Sequence, residues 1–413
     1  MFEQHLDYPV FDADNHLFDS VTLWRAYAES KYAELFEDDI WLSDRERFLS
    51  SAIGRRASRF SEGNVAQVEE QSAVFRPGAS LHKLNPYNKA ASPEEREAII
   101  KEFQALAPGF QNRDRRLEVM DIQGIEGAIM FPQADALVIH SAFPESADKS
   151  MAAVRAFNRW VDAEWGFSYQ HRIFVPAAIS LMDVDLALAE VDWALEHGAR
   201  GFLLPPGPLH GRSPADPIYD PFWARLNEAK VGVMIHLNYT DYAQQGARYS
   251  EDPESHFIDG NKSFTAFQWF SYWGDRPVME TTAALILHGL FERFPDVRIA
   301  LSEQGTVWLP YTLRKMDHAL MMGRKGTFDA ITERPSDTFR RQFLVAPYPE
   351  EIVARPMEVV GDTCLTFGSD FPHGEGLADP AEYASVMLAD LNDDQRRKIM
   401  RDNLANFLVP AGV

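Results

Sequence analysis

Eight short apolar segments recur along the chain, and each is bounded by turn residues or by polar side chains. Runs of four to eight apolar residues with such boundaries are typical of buried β-strands. The predicted strands are Val10–Ala13, Gly127–Phe131, Phe174–Ile179, Gly201–Leu204, Val231–Ile235, Val297–Leu301, Phe343–Ala346 and Cys364–Phe367. Their length and spacing indicate a protein built around a parallel sheet.

Amphipathic helical patterns separate these strands. Val184–Glu196, Tyr219–Ala229 and Ala283–Phe294 carry apolar residues at intervals near 3.6. Strands that alternate with helices indicate parallel βαβ units, and eight such units predict an α/β protein with a closed (β/α)₈ TIM barrel. An open doubly wound sheet is the alternative. It would bind ligands at a switch point rather than gather them from the first, middle and last strands.

The chain is longer than a plain barrel requires. A (β/α)₈ barrel needs about 250 residues, whereas this chain has 413. We therefore expect one domain over residues 1–413, with a lid-like insertion at 20–125 after the first strand and a second insertion at 238–281 after the fifth. The first contains a charge-rich helical segment, Ser92–Leu106, and the second contains the aromatic run Phe267–Trp273. We expect this run to form lid packing or a subunit interface.

Composition narrows the class of partner. The net charge of −22 argues against nucleic acid and anionic membranes, because phosphates favour clusters of Lys and Arg. The single cysteine, Cys364, rules out an intrachain disulfide and fits a reducing compartment. No apolar run approaches the ~20 residues of a membrane span, and the first residues lack the pattern of a signal peptide. We expect a soluble cytoplasmic protein that acts on a small molecule.

Polar side chains with metal-binding ability stand at the ends of three predicted strands. Asp14 and His16 end the first strand and lie two residues apart, so they face the same side. His236 ends the fifth strand, and Asp370 follows the eighth. Such side chains at the carboxyl ends of barrel strands predict a catalytic divalent-metal site. Asp12, one layer deeper on the same strand face, is expected to support this site through hydrogen bonds.

Five segments carry a resemblance to a known family. They are Asp12–His16, Arg116–Ile125, His236, Gly289–Asp296 and Gly368–His373. Together they resemble the branch of the amidohydrolase superfamily that includes aminocarboxymuconate-semialdehyde decarboxylase, a group of metal-dependent TIM-barrel hydrolases. The resemblance runs nearly end to end and is weakest in the first insertion.

The resemblance implies one catalytic divalent ion held by Asp14, His16, His236 and Asp370. Zinc is usual in this family and manganese occurs in some members. Many members have two histidines in the first motif, whereas Asp14 replaces the first of them here, as a carboxylate does in some decarboxylase relatives. An oxygen-richer ligand set favours manganese more than a histidine-rich set would. We expect zinc, with manganese as the alternative.

A second departure from the family pattern lies after the sixth strand. Many members have a histidine where this chain has Glu303. A glutamate there could act as a general acid or base, become an extra ligand, or only orient a neighbour. His373 is then the remaining imidazole that could transfer a proton, and Asp370 could double as the base that activates water.

These residues predict a hydrolase in which metal-activated water attacks a carbonyl group. The cleaved bond would be an amide, a lactone or a carbon–carbon bond next to a ketone, in a small organic acid or ring compound, with Glu303 or His373 protonating the leaving group. Nonoxidative decarboxylation of an aromatic or muconate-like acid is the alternative. It is less favoured because no arginine can be assigned to the site from sequence.

A third hypothesis is a metal-free binding protein on a degenerate barrel. The complete set of four candidate ligands argues against it. The family resemblance and the aromatic-rich second insertion also lead us to expect a homodimer.

Overall fold

The computed structural model describes residues 6–19, 21–36, 106–132, 139, 143–237, 275–323, 330–349, 351–373, 376–377 and 379–409. Short strands alternate with helices through these ranges. The strands are β1 (Val10–His16), β2 (Ile125–Phe131), β3 (Ser168–Tyr169), β4 (Ile173–Phe174), β5 (Ala177–Ala178), β6 (Gly201–Leu204), β7 (Gly232–His236), β8 (Ile299–Ser302) and β9 (Phe343–Val345).

Helices connect and follow the strands. They are α1 (Val21–Trp24), α2 (Arg113–Gln123), α3 (Ala147–Trp160), α4 (Val184–Glu196), α5 (Asp220–Ala229), α6 (Asp275–Leu287), α7 (Leu290–Arg293), α8 (Leu309–Met322), α9 (Pro335–Gln342), α10 (Ala354–Val360), α11 (Pro380–Met387), α12 (Asp393–Arg397) and α13 (Asn403–Leu408). Turns of 3₁₀-helix occupy Arg25–Tyr27, Ser30–Phe36, Ala107–Phe110 and Pro217–Tyr219, and π-helical turns occupy Val161–Trp165 and Lys398–Asp402.

The strands form two sheets that follow each other around the barrel. One has the order β1-β2-β4-β3, in which only the β3–β4 pair is antiparallel, and the other is the fully parallel β5-β6-β7-β8-β9. The backbone of residues 364–371 lies between β9 and β1. The Val345 amide donates to the Cys364 carbonyl, and the Ala13 amide donates to the Phe367 carbonyl. The predicted (β/α)₈ fold is confirmed.

Most predicted strands differ from the observed ones only at their end residues, and three predicted elements differ in more than that. The third strand is divided into β4 and β5, because Pro176 between them has no N–H to donate to a ladder. The eighth strand is reduced to a single parallel bridge between Val345 and Leu365, although its backbone still hydrogen-bonds both neighbours. The single helix expected over Ala283–Phe294 is two helices, α6 and α7, because Gly289 takes the left-handed conformation with φ of 68°.

The predicted insertions fall mostly on residues 37–105 and 238–274. These lie outside the described residues, and with them nearly all of the segment Ser92–Leu106 and the whole aromatic run Phe267–Trp273. The lid, interface and single-domain expectations therefore stay predictions. Within the described part of the chain, no helix is both long and apolar enough to cross a bilayer.

The inside of the barrel is filled at its amino end. Inward-facing apolar side chains, among them Phe11 of β1 and Met234 of β7, pack against Phe407 of α13. Gly232, which begins β7, lies so close to Phe407 that an added Cβ would be 2.2 Å from its Cζ. Helix α13 thus closes the end where the strands begin. The polar side chains able to carry out chemistry lie at the opposite end of the barrel, where the strands stop.

The only cysteine is held in an unreactive state. Cys364 is fully buried, its Sγ donates to the Arg340 carbonyl oxygen over 3.1 Å, and burial raises its pKa to about 11. Because the thiolate is the reactive form, we expect the folded protein to leave a thiol-specific chromogenic reagent unconsumed. In denaturant the same reagent should titrate one thiol per chain. Stoichiometric labelling before unfolding would contradict this burial.

Candidate metal centre

A β-bulge in β1 sets the direction of the first-strand side chains. Asp12 pairs with Ala128 and Asn15 pairs with Met130, so β1 has one more residue than β2 over this stretch. Such an extra residue shifts the alternation of side chains between the two faces. Phe11 and Ala13 lie in the inner core, and the shift lets Asp14 and His16 also turn inward. Asp12 is then on the opposite face, which corrects the expectation that it shares a face with Asp14.

Three predicted ligands come together at the open end of the barrel. The Nε2 atom of His16 lies 3.5 Å from Oδ1 of Asp14, and the Nε2 atom of His236 lies 3.4 Å from the same oxygen. The two imidazole rings meet edge to face, with centroids 4.9 Å apart. Burial alone would raise the pKa of Asp14, but the neighbouring imidazoles outweigh burial and hold it below its ordinary value.

Asp370 and His373 complete the cluster from the segment after the eighth predicted strand. Oδ1 of Asp370 lies 3.1 Å from Nε2 of His16 and 2.7 Å from Nδ1 of His373. The rings of His373 and His16 overlap with centroids 3.9 Å apart. Burial opposes ionisation of Asp370, yet the neighbouring imidazoles of His373 and His16 hold its pKa well below the usual range.

Gly368 lets this segment approach β1. A Cβ at Gly368 would lie 2.9 Å from the Cβ atoms of both Asp14 and Ala346, so only glycine fits between them. The amide of Asp370 then donates to the Asp14 carbonyl oxygen over 2.7 Å. The strand-end motifs of β1 and residues 368–370 are therefore fixed to each other through their backbones.

Glu303 lies beside the cluster, directly after β8. Its Oε2 atom is 3.3 Å from Nε2 of His236, and its side chain is 12% exposed, against 3% for His236. Both Glu303 and Asp370 have left-handed backbone conformations, with φ of 52° and 54°. For residues other than glycine such a conformation costs about 1–3 kcal/mol and is often found at functional sites. All six residues predicted for the site are thus brought into one neighbourhood.

The donor atoms of this neighbourhood fit a divalent cation. Oδ1 of Asp14 and Nε2 of both His16 and His236 are buried, and none of the three forms a hydrogen bond of good geometry among the residues described. Leaving three buried polar atoms unpaired is costly, whereas a cation would use all three. Nδ1 of His236 lies 2.7 Å from the carbonyl oxygen of Leu237. Because a carbonyl only accepts, Nδ1 carries the proton and the Nε2 lone pair is directed to the cluster.

Ligand-forming atoms also lie close together in two overlapping groups, each compact enough for one small ion. Asp14, His16 and His236 each offer an atom within 4.8 Å of the others, and so do His16, Asp370 and His373. The two groups share His16. Carboxylate oxygen and imidazole nitrogen are donors that both zinc and manganese accept.

Asp12 supports the cluster from the other face of β1. Its Oδ1 accepts from the amides of Asp14 and Ser369, and its Oδ2 accepts from the side chains of Asn15 and Ser369. Burial raises the pKa of Asp12 to about 7, although these four hydrogen bonds act to lower it. The contacts are those of the hydrogen-bonding support that the sequence predicts.

Three residues of this network have no role in the sequence-based prediction. They are Asn15, Arg116 and Ser369, all of them buried. The sequence pattern could have drawn attention to Arg116. It lies on the same helical stripe as the buried Met120 and Gln123, at a position where an apolar residue is expected. Asn15 and Ser369 have no comparable signal, since short polar residues also occur in ordinary turns.

Comparison with protein families settles the relationship. The model of the amidohydrolase family named Amidohydro_2 matches residues 11–408. The chain belongs to this amidohydrolase family. The resemblance noted from sequence is thereby confirmed, and the protein is an enzyme of the amidohydrolase superfamily. A search of curated proteins finds no match.

Solved structures share the fold. An amidohydrolase from Mycobacterium avium subsp. paratuberculosis K-10 is similar at 28% identity, covering 98% of this chain and 100% of that chain, with a TM-score of 0.74. A 2,6-dihydroxybenzoate decarboxylase from Rhizobium is 21% identical, with coverages of 81% and 96% and a TM-score of 0.55. A 5-carboxyvanillate decarboxylase from Novosphingobium aromaticivorans, with bound manganese, is 15% identical, with coverages of 97% and 97% and a TM-score of 0.61.

Proposed function

We propose that the protein is a metal-dependent hydrolase that adds water to a carbonyl carbon of a small organic acid or ring compound. The observation that carries this proposal is the presence of two side chains able to transfer protons, each against a different candidate ligand. Glu303 contacts His236, and His373 contacts Asp370. Their side chains are 12% and 21% exposed, whereas those of the four candidate ligands are at most 4% exposed. Glu303 and His373 are therefore the more solvent-accessible groups of the six.

The candidate ligands Asp14, His16, His236 and Asp370 would hold the divalent ion. When bound, such an ion polarises a substrate oxygen and lowers the pKa of water. The carboxylate of Glu303 takes a proton from a water molecule as the oxygen of that water bonds to the carbonyl carbon. His373, oriented by its hydrogen bond to Asp370, gives a proton to the oxygen, nitrogen or carbon that leaves.

Asp370 has one role in this proposal, that of a ligand. From sequence it could also serve as the base that activates water. The low pKa that His373 and His16 impose on Asp370 makes it a weak proton acceptor. The proposal therefore gives the role of base to Glu303, which contacts the imidazole of His236 and is more exposed than it.

Hydrolysis uses two proton transfers, one from water and one to the leaving group, and the site has a residue for each. Decarboxylation needs only one proton, delivered to carbon, together with a cation for any second anionic group on the substrate. Arg116 does not meet that need, because its guanidinium donates to Gly109, Asn15 and His16 instead.

Nonoxidative decarboxylation of an aromatic acid is the second candidate. It is favoured by the similarity to 2,6-dihydroxybenzoate and 5-carboxyvanillate decarboxylases.

Isotope labelling separates the two reactions. Protein loaded with Mn²⁺ or Zn²⁺ would be offered amides, lactones, ring ketones and hydroxybenzoic acids in H₂¹⁸O and, separately, in D₂O. We expect ¹⁸O in a product carboxylate and no CO₂ release. Release of CO₂ with deuterium on the product carbon would contradict hydrolysis and establish the second candidate. Protein stripped of metal and the His236→Ala variant serve as controls for contaminating enzymes.

A further inference from the structure

We propose that Arg116 is a positioning residue for the metal centre, acting from α2 on the end of β1 and on the segment that carries Asp370. The proposal rests on the metal-dependent function proposed above. It adds a residue outside the ligand set that determines how well the ligands are arranged.

The guanidinium of Arg116 is fully buried between the barrel wall and the 3₁₀ turn that precedes α2. Its Nε donates to the Gly109 carbonyl over 2.8 Å, its Nη1 donates to Oδ1 of Asn15 over 2.9 Å, and its Nη2 donates to the His16 carbonyl. The aromatic rings of Phe110 and Phe371 lie 5.5 Å and 5.4 Å from its Cζ, within cation–π distance.

The contact with the His16 carbonyl acts directly on a candidate ligand. This carbonyl ends β1, at the point where the bulge has turned Asp14 and His16 inward. The His16 amide donates to the Phe371 carbonyl over 2.8 Å. With Arg116 bound to its carbonyl, both backbone polar groups of His16 are fixed, which fixes the position and direction of the Cα–Cβ bond that carries the imidazole.

The contact with Asn15 extends the effect to the other side of the site. Nδ2 of Asn15 donates to Oδ2 of Asp12 over 2.9 Å, and Oδ1 of Asp12 accepts from the amides of Asp14 and Ser369. Ser369 directly precedes Asp370 in the chain. One hydrogen-bonded chain therefore runs from Arg116 to the backbone beside both carboxylate ligands.

The chemistry of this position requires arginine rather than another cation. The three acceptors lie in different directions, and the planar guanidinium offers donors toward all of them at once. A lysine ammonium at the end of a flexible stem cannot reproduce that geometry. A charged side chain is rarely fully buried without a specific set of partners, and here the partners lead to the ligands.

The test measures metal affinity rather than activity. Metal-free wild type and Arg116→Lys would compete with a fluorescent chelator for Mn²⁺, and circular dichroism and melting temperature would establish that both are folded. We expect the variant to bind Mn²⁺ about 10–100-fold more weakly, the usual effect of removing a partner of the ligands. Arg115→Lys is the matched control, because Arg115 is exposed on the same helix and pairs with Glu118. Its affinity should equal that of wild type.

A second variant covers the case in which Arg116→Lys does not fold. Asn15→Ser breaks the same hydrogen-bonded chain one step nearer the ligands, and it should weaken Mn²⁺ binding to a similar extent. If Arg116→Lys folds with a lowered melting temperature but binds Mn²⁺ as tightly as wild type does, Arg116 is purely structural. That result would overturn this proposal and leave the metal centre standing. Failure of the wild type to bind Mn²⁺ would overturn the metal centre and this proposal together.

Discussion

Replacing Glu303 with glutamine is expected to slow turnover by about 10²–10⁴-fold, the usual contribution of general acid–base catalysis. The amide has the size of the carboxylate, so the packing next to His236 should survive. It cannot accept a proton, however, and the base assigned to water activation is lost. Because the four candidate ligands are unchanged, the bound metal and the apparent affinity for substrate should stay near those of wild type.

Three measurements on this variant separate the possible roles of Glu303. If it is a ligand, metal content falls and added metal partly restores activity. If it is only structural, turnover is retained and the melting temperature falls, since a partly buried carboxylate has lost its charge. Glu333→Gln is the matched control, because Glu333 is hydrogen-bonded by Arg341 and Thr338 away from the site. Unchanged turnover in Glu303→Gln would refute the proposed base.

The positions of the ligands could be predicted because they follow from strand ends. Parallel strands of a barrel finish at the same rim, so side chains at the ends of β1 and β7 meet there even though they are more than 200 residues apart in sequence. The apolar runs that define such strands can be recognised from the local sequence. The strand β6, for example, has the bounds that its pattern predicts. Fold and ligand neighbourhood are for this reason both accessible from sequence.

The finer geometry depends on contacts that a linear pattern does not encode. Alternation along β1 places Asp12 with Asp14, but pairing with β2 adds a bulge that separates them. The left-handed backbone of Glu303 and Asp370 likewise carries no local signature such as glycine. The role of Arg116 requires knowledge that α2 packs against the end of β1. Each of these features arises from tertiary packing, which overrides local preference.

His236→Ala is expected to remove most of the bound divalent ion. His236 is the candidate ligand that β7 provides. The other three, Asp14, His16 and Asp370, come from β1 and from the segment 364–371 that is hydrogen-bonded to it. Removing a partner of a ligand lowers metal affinity about 10–100-fold. Loss of a ligand itself should lower it by at least about 100-fold, with turnover falling to background at stoichiometric metal.

A second histidine provides a close control for this prediction. In His197 the Nδ1 atom lies 2.7 Å from the Trp193 carbonyl, the same distance that separates Nδ1 of His236 from the Leu237 carbonyl. His197 is exposed on the far end of α4 and belongs to neither ligand group, so His197→Ala should keep full metal content. Elemental analysis of both variants after gel filtration decides the assignment. If His236→Ala retains as much metal and activity as His197→Ala, the ion is bound without β7, and the four-ligand centre is wrong.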